Sequence, residues 1–212
     1  MKSNKKLIIP SILTVGIYLL SYSLPKVIVS NDSVHYLTSK LDNYIPFVPV
    51  FIFIYIGAFF QWLNAILFLN KQETKKAYRY LNAVNIGSII GLLFYIIYPT
   101  AVVRPEIFGN NAVEQFCKII FTIDTPINAF PSFHCFLSFI TVVFYIDFKA
   151  NKNTIIFNSI YSILVFISTL LTKQHVIVDI PAGIMLGIVS LMLSKYISFD
   201  RLFDYLNNKF NA

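Results

Sequence analysis

Residues 46–69 read PFVPVFIFIYIGAFFQWLNAILFL, a stretch without a single Asp, Glu, Lys or Arg. An α-helix rises about 1.5 Å per residue and the hydrocarbon core of a bilayer is about 30 Å thick, so a run of this length can span a membrane. Five further runs approach the same length and character: Leu7 to Leu24, Asn82 to Val103, Pro131 to Phe148, Thr154 to Leu171 and His175 to Ile197. The whole chain agrees, because 57% hydrophobic against 13% charged residues, with 21 Phe and 13 Tyr, exceeds what a soluble domain can bury. The expected fold is an all-α integral membrane protein, a bundle of six transmembrane helices forming one domain over residues 1–212. No internal repeat, low-complexity tract or Gly/Ser linker interrupts it.

Two polar segments carry apolar residues at helical spacing. Ser30 to Tyr44 does so with Val34, Leu37, Leu41 and Tyr44, which predicts a helix lying in the membrane interface. The C-terminal tail repeats the pattern with Phe199, Leu202, Phe203, Leu206 and Phe210. The first apolar run follows Lys2, Lys5 and Lys6 but is long, and no small-x-small cleavage site comes after it, so it reads as a retained helix. Cys117 and Cys135 are too few and too irregularly spaced for a disulfide framework or a zinc site, and read as small buried hydrophobes.

A net charge of +7 raises the question of nucleic acid. The cations instead gather beside apolar runs, where they act as topology signals, and nucleic-acid binding is not expected. Lys2, Lys5 and Lys6 precede the first run, Lys71, Lys75, Lys76 and Arg79 separate the second from the third, and Lys149 and Lys152 separate the fourth from the fifth. This places those segments and both termini in the cytoplasm of a multi-pass cell-membrane protein. Pro25 to Ile45, Arg104 to Phe130 and Thr172 to Gln174 then lie outside.

The polar residues hardest to explain as packing all fall on that outer side. Arg104 closes the third run, Ser132 and His134 open the fourth, and Lys173, His175 and Asp179 open the sixth. His175 and Asp179 are four apart, so on a helix they share a face, where the carboxylate can accept from one imidazole nitrogen and leave the other as a nucleophile. An ionisable side chain inside a spanning helix costs about 2.5 kcal/mol or more unless paired, which makes His175 the natural partner of Asp179. Pro131 suits a helix start, and the free first-turn amides with the Ser132 hydroxyl form an anion cradle. His134 in that turn can give a proton to a departing alkoxide. Arg104 and Lys173 add positive charge for phosphoryl oxygens.

Each piece also has a plainer reading. The His–Asp pair can hold helices together, the Ser132 and His134 turn can be an interfacial polar cluster, and an Arg at a helix end can be an interface anchor. His134, His175 and Asp179 could also form a metal triad. Two cations converging on the same place favour an anion there, so no metal or cofactor is expected. A transporter or channel would line its pathway near the midplane, whereas this cluster sits at one bilayer edge.

Arg104-Pro105, Pro131-Ser132-x-His134 and His175-x3-Asp179, in this order, resemble the signature of the type 2 phosphatidic acid phosphatase superfamily, K-x6-R-P, P-S-G-H and S-R-x5-H-x3-D. The chain departs from it with Ile97 for the first Lys, Phe133 for Gly, and Ser168-Thr169 for Ser-Arg. Lys173 can restore one of the two missing cations. The Lys173-Gln174-His175 run, Asp124-Thr125-Pro126 and the segment from Asp42 to Phe47 look like the branch holding bacterial lipid phosphatases and inositol phosphorylceramide synthases. The resemblance implies a metal-independent membrane phosphatase acting on a lipid phosphate substrate. In it His175 is nucleophile, Asp179 its orienting group, His134 the acid and base, and Arg104, Lys173 and Ser132 the phosphate-binding residues. The alternative it implies is a lipid phosphotransferase that moves a phospho-headgroup to another alcohol.

Overall fold

The computed structural model describes residues 7–30, 33–69 and 71–210. Among the described residues eight α-helices follow one another: α1 (Ile8–Ile28), α2 (Ile52–Leu69), α3 (Thr74–Ile97), α4 (Ala112–Ile123), α5 (Phe133–Asp147), α6 (Lys152–Leu171), α7 (Asp179–Leu193) and α8 (Asp200–Phe210). Two short strands, β1 (His35–Tyr36) and β2 (Thr100–Ala101), pair in parallel. The protein is an all-α membrane bundle. Among the described residues four helices are long and apolar enough to cross a bilayer: α1, α2 with the single turn Pro49–Phe51 that leads into it, α3 and α6.

The other two apolar helices, α5 and α7, have only 15 residues each, about 22 Å of rise. Against the expected runs, α5 starts two residues late and ends one early and α7 loses four residues at each end, so both helices start late at the same end of the bundle. The irregular segments 124–132 and 172–178 occupy the missing length there, and backbone without helical bonds is tolerated at membrane depth only where protein satisfies it. Here it is satisfied by the chain itself: Gln174 and His175 amides both donate to the Thr169 carbonyl at 3.0 Å, and the Ser132 amide donates to the Asp179 carbonyl at 3.3 Å.

α5 is the hub, packed against α2, α3, α6 and α7, while α1 lies along α3. α3 is buried continuously from Tyr80 to Ser88, as expected of a helix surrounded on all sides. Small residues allow the close approach. A Cβ on Gly91 would sit 2.1 Å from the Phe133 ring, and one on Gly183 would sit 2.4 Å from the Ser132 carbonyl oxygen and 2.9 Å from the Cys135 Cβ. α8 closes the opposite end of the bundle: Asn82 Nδ2 donates to Asp200 at 2.8 Å and the Tyr78 hydroxyl to Asp204 at 3.1 Å.

The expected interfacial helix over Ser30 to Tyr44 is absent among the described residues, with 31 and 32 outside them; the described stretch makes β1 and the 3-10 turn Leu41–Tyr44. The Asp42 carboxylate takes up the Ser39 amide at 2.8 Å and hydroxyl at 2.6 Å, a local alternative to helical bonding, and the His35 amide donates to Pro99 at 2.8 Å. The amphipathic helix at this end is α4 instead. It begins with a capping box in which the Asn111 side chain accepts from Val113 and Glu114 amides while Glu114 accepts from the Asn111 amide. Phe116, Cys117 and Ile120 pack it against Phe47, Ile52 and Tyr55. The expected C-terminal amphipathic helix is present as α8, and both cysteines are buried and unlinked.

Gly183 decides how closely α7 approaches the start of α5, because backbone rather than a pliable side chain faces it. Gly183→Ala should lower stability by about 1–3 kcal/mol through overpacking. Gly16→Ala, where nothing lies within 4 Å of the added carbon, should stay near wild type. Thermal unfolding of the two variants in the same detergent compares them.

Candidate active site

Three chain segments meet where α5 and α7 start. The α6 helix ends with Thr172 donating its hydroxyl to the Ser168 carbonyl at 2.7 Å, and Lys173 then turns the chain with φ of 53°. A left-handed residue after a helix is usually Gly. Lys173 is held there by its own side chain, whose Nζ donates to the carbonyls of Ile45 at 2.5 Å and Asp42 at 3.2 Å.

That turn delivers His175 to the bundle. His175 is not on a helix: it stands in the irregular stretch before α7, and Asp179 is the first residue of α7. The expected pairing is made all the same, with His175 Nδ1 3.1 Å from Asp179 Oδ2, which also accepts the Val176 amide at 3.0 Å. The turn, not a shared helix face, brings them together. Asp179 is fully buried. A buried carboxylate facing Nδ1 assigns the proton to that nitrogen and leaves Nε2 with its lone pair.

His134, in the first turn of α5, lies across from this pair with ring centroids 6.3 Å apart. Its imidazole is clamped by aromatic residues of α2. Tyr55 stacks on it at 3.9 Å with planes 21° apart, Phe59 meets it edge-on at 5.6 Å, and Trp62 lies at 5.1 Å. Its Nε2 is buried without a hydrogen-bond partner among the described residues.

Arg104 approaches from the connection after β2. Its Nη1 donates to the carbonyls of Phe121 at 3.1 Å and Asp124 at 2.5 Å, its Nη2 donates to the Gln174 side chain, and its guanidinium lies 4.5 Å over the Phe121 ring. Arg104, Lys173 and His175 line one cavity of about 280 Å³ together with Asp42, Asn43 and Val176. Ser132 is buried at the start of α5, where its hydroxyl oxygen accepts the Cys135 amide at 3.3 Å and caps the helix. Among the described residues no group of three or more His, Cys, Asp or Glu side chains is arranged to hold a metal ion.

Of the six residues singled out in the sequence, His175 and Asp179 are in contact, His134 faces them, and Arg104 and Lys173 share the cavity with His175. Ser132 joins through its backbone bond to Asp179. Three further residues organise the site without having been assigned a role from sequence. Gln174 holds Arg104, Tyr55 holds His134, and Asp42 Oδ1 accepts the Ile177 amide at 2.7 Å, fixing the stretch that carries His175. Asp42 lies in the segment from Asp42 to Phe47 noted for its resemblance, whereas nothing distinguishes Tyr55 within an apolar helix.

A comparison with protein families matches residues 32–193 to the PAP2 superfamily. No curated protein and no solved structure matches.

The Asp42 carboxyl gives the site a pH limit. Burial opposes its charge, but hydrogen bonds from Ser39 and Ile177 and the nearby Lys173 outweigh that and hold it below its usual value of 3.8. A carboxyl lowered by folding contributes stability that is present above the unfolded value and lost as pH falls through the folded one. Wild-type protein should therefore lose thermal stability below about pH 4. Asp42→Asn should melt lower at neutral pH and change less across that acid range, as read by melting temperature against pH.

Proposed function

Because the chain belongs to the PAP2 superfamily, we propose that it is a membrane lipid phosphatase that hydrolyses a lipid phosphomonoester or polyprenyl diphosphate through a phosphohistidine intermediate. The family supports phosphoester chemistry on lipids in general. The observation that carries the finer reading is His175 Nδ1 held by buried Asp179, with His134 facing across 6.3 Å. This reading has the two neighbouring imidazoles serve one phosphoryl group.

In the first step His175 Nε2 attacks phosphorus in line, a P–N bond forms and the P–O bond to the leaving group breaks, a lipid alcohol for a phosphomonoester or a polyprenyl phosphate for a diphosphate. Asp179 stabilises the imidazolium that results, and His134 gives its proton to the departing oxygen. In the second step His134 takes a proton from water, which attacks the phosphohistidine and releases phosphate and His175. Arg104 Nε, buried without a partner among the described residues, and the first-turn amides of α5 serve the phosphoryl oxygens, with Lys173 and Ser132 shaping the site around them. Every group this scheme needs is a side chain or amide of the chain, and it calls for no metal.

A lipid leaving group is favoured by what lies behind His134. Phe59 and Trp62, which flank its ring, also line an apolar crevice of about 200 Å³ between α1 and α2, with Val15, Leu19 and Leu63 on its rim. A hydrocarbon chain leaving from the His134 side can run into it.

The site end is read as extracytoplasmic and the opposite end as cytoplasmic, with both termini there. Lys71 in the α2–α3 connection with Lys75, Lys76 and Arg79 at the start of α3, Lys149 in the α5–α6 connection with Lys152 opening α6, and Lys195 and Arg201 after α7 support that orientation. Cysteine introduced for Asn110 should react with an impermeant thiol reagent on intact cells, and cysteine introduced for Glu73 should be protected. The reverse pattern would put the site in the cytoplasm.

Phosphate release from a panel of lipid phosphates by the purified protein should survive exhaustive chelation, and transfer to an added alcohol in its place would assign a phosphotransferase. His175→Ala should abolish the nitrophenol burst from a nitrophenyl phosphate. His134→Ala should lose about 10²- to 10⁴-fold on an alkyl ester and recover most of that in the burst, since nitrophenolate leaves without a proton. A His175 variant rescued by the better leaving group would reverse the two assignments.

A further inference from the structure

Asp124 follows the last turn of α4, and its carboxylate has no part in the steps above. Oδ1 accepts from the Tyr22 hydroxyl at 2.5 Å and from Lys26 Nζ at 2.7 Å, both on α1, and Oδ2 accepts from the Tyr55 hydroxyl on α2 at 3.0 Å. Burial works against the charged form. The Lys26 ammonium and the Tyr22 hydroxyl more than offset it and hold the carboxyl below the usual carboxylate range. Asp124 is thus a fixed anion that gathers side chains from two spanning helices.

Tyr55 carries the connection inward. Its hydroxyl is pinned by Asp124 while its ring lies face to face with the His134 imidazole, centroids 3.9 Å apart. With Phe59 edge-on and Trp62 alongside, the imidazole cannot change plane without moving Tyr55. A phenol that donates to an anion carries more electron density in its ring, and an aromatic face attracts a cation, so this stack favours imidazolium over imidazole. Among the described residues, the other titratable or charged groups on this side are His175 opposite with Asp179 behind it, Tyr22 and Lys26 already engaged by Asp124, the buried Tyr18 and Tyr95, the latter donating to the Pro131 carbonyl, and Arg104, whose Nη1 holds the Asp124 carbonyl. Phe59 and Trp62 bring no charge.

We propose that Asp124 is a positioning residue for proton transfer at His134, acting through Tyr55: the carboxylate fixes the phenol, and the phenol fixes the plane and favours the protonated form of the imidazole. The proton so held passes to the departing alkoxide oxygen as the P–O bond breaks, leaving neutral His134 to take a proton from water in the second step. This rests on the reading of His134 as proton donor.

The test uses the full chain in detergent, with Asp124→Asn, Tyr55→Phe and His134→Ala assayed on a lipid phosphomonoester and on a nitrophenyl phosphate. Removing the carboxylate takes away a stabiliser of the imidazolium, so the alkaline limb of the kcat profile for the lipid should move to lower pH in Asp124→Asn. Its loss in kcat on the lipid should exceed its loss in the nitrophenol burst by about tenfold, with KM changed far less. Tyr55→Phe keeps the ring and the Lys26–Asp124 pair but cuts the link between them. It should show the same leaving-group dependence to a smaller degree, and it carries the test if Asp124→Asn does not fold. Equal losses on both substrates with an unmoved alkaline limb, in whichever variant folds, would overturn the inference and leave Asp124 as a clasp between α1 and α2. If His134→Ala also fails to recover in the burst, the proton-donor reading falls and this inference falls with it. A recovered His134→Ala beside equal losses in the other two would sink the inference alone.

Discussion

A carboxylate with no exposure, at the head of a helix inside a membrane bundle, can find partners only in the protein around it, and Asp179, whose Oδ1 has none among the described residues, sets the terms on which the rest of this end is built. One of its oxygens takes the His175 ring and the Val176 amide. Its backbone carbonyl takes the Ser132 amide, which ties the start of α7 to the start of α5. A single residue therefore aligns the imidazole, the turn before α7 and the capped first turn that presents His134. Removing the hydrogen-bond partner of a buried carboxylate is costly because the charge stays buried, so the arrangement is conformationally specific as well as chemically useful.

Bundle geometry provides the room for this. Had α5 and α7 continued to full spanning length, their extra turns would fill the space now taken by segments 124–132 and 172–178. Their shortness lets irregular backbone sink between the longer helices while protein groups satisfy its polar atoms. The sunken segments are held from outside by the neighbouring connections. Asp42 and the two carbonyls it shares with Ile45 anchor Ile177 and Lys173, and Arg104 ties Gln174 to the carbonyls at the end of α4. Cations expected to face an anion directly are partly spent on this framework. Lys173 works through the loop it holds, while Arg104 keeps its Nε without a partner among the described residues.

Gly91 and Gly183 supply the closeness, and polar side chains lock the helices where lipid offers no hydrophobic drive to pack them. Gln61 on α2 donates to Ser162 on α6 at 2.9 Å, Ser162 donates to the Ser138 carbonyl on α5 at 3.0 Å, and Trp62 donates to the Ser138 hydroxyl at 3.2 Å. This chain of bonds holds α2 beside α5, which is what keeps the aromatic clamp on His134 closed. The Asp124 cluster joins α1 to α2 above the apolar crevice and reaches the same imidazole from the other side.

By itself the sequence determined the membrane bundle, since long uncharged apolar runs have no other stable home, and it determined which polar residues gather at one end, since those runs alternate direction. Arg104, His134, His175 and Asp179 stood out because charged and imidazole groups beside spanning helices demand a partner. The tertiary structure alone decided how they meet. A spacing of four suggested a helical face for His175 and Asp179, but a left-handed turn at Lys173, anchored to carbonyls more than a hundred residues away in the chain, brings them together instead. Periodicity over Ser30 to Tyr44 was overridden by the bonds of Asp42 and by pairing with β2, partners that only the fold brings near. Tyr55 looked like one more apolar residue of a spanning helix. Its place between Asp124 and His134 depends on three segments distant in sequence converging, which no local pattern encodes.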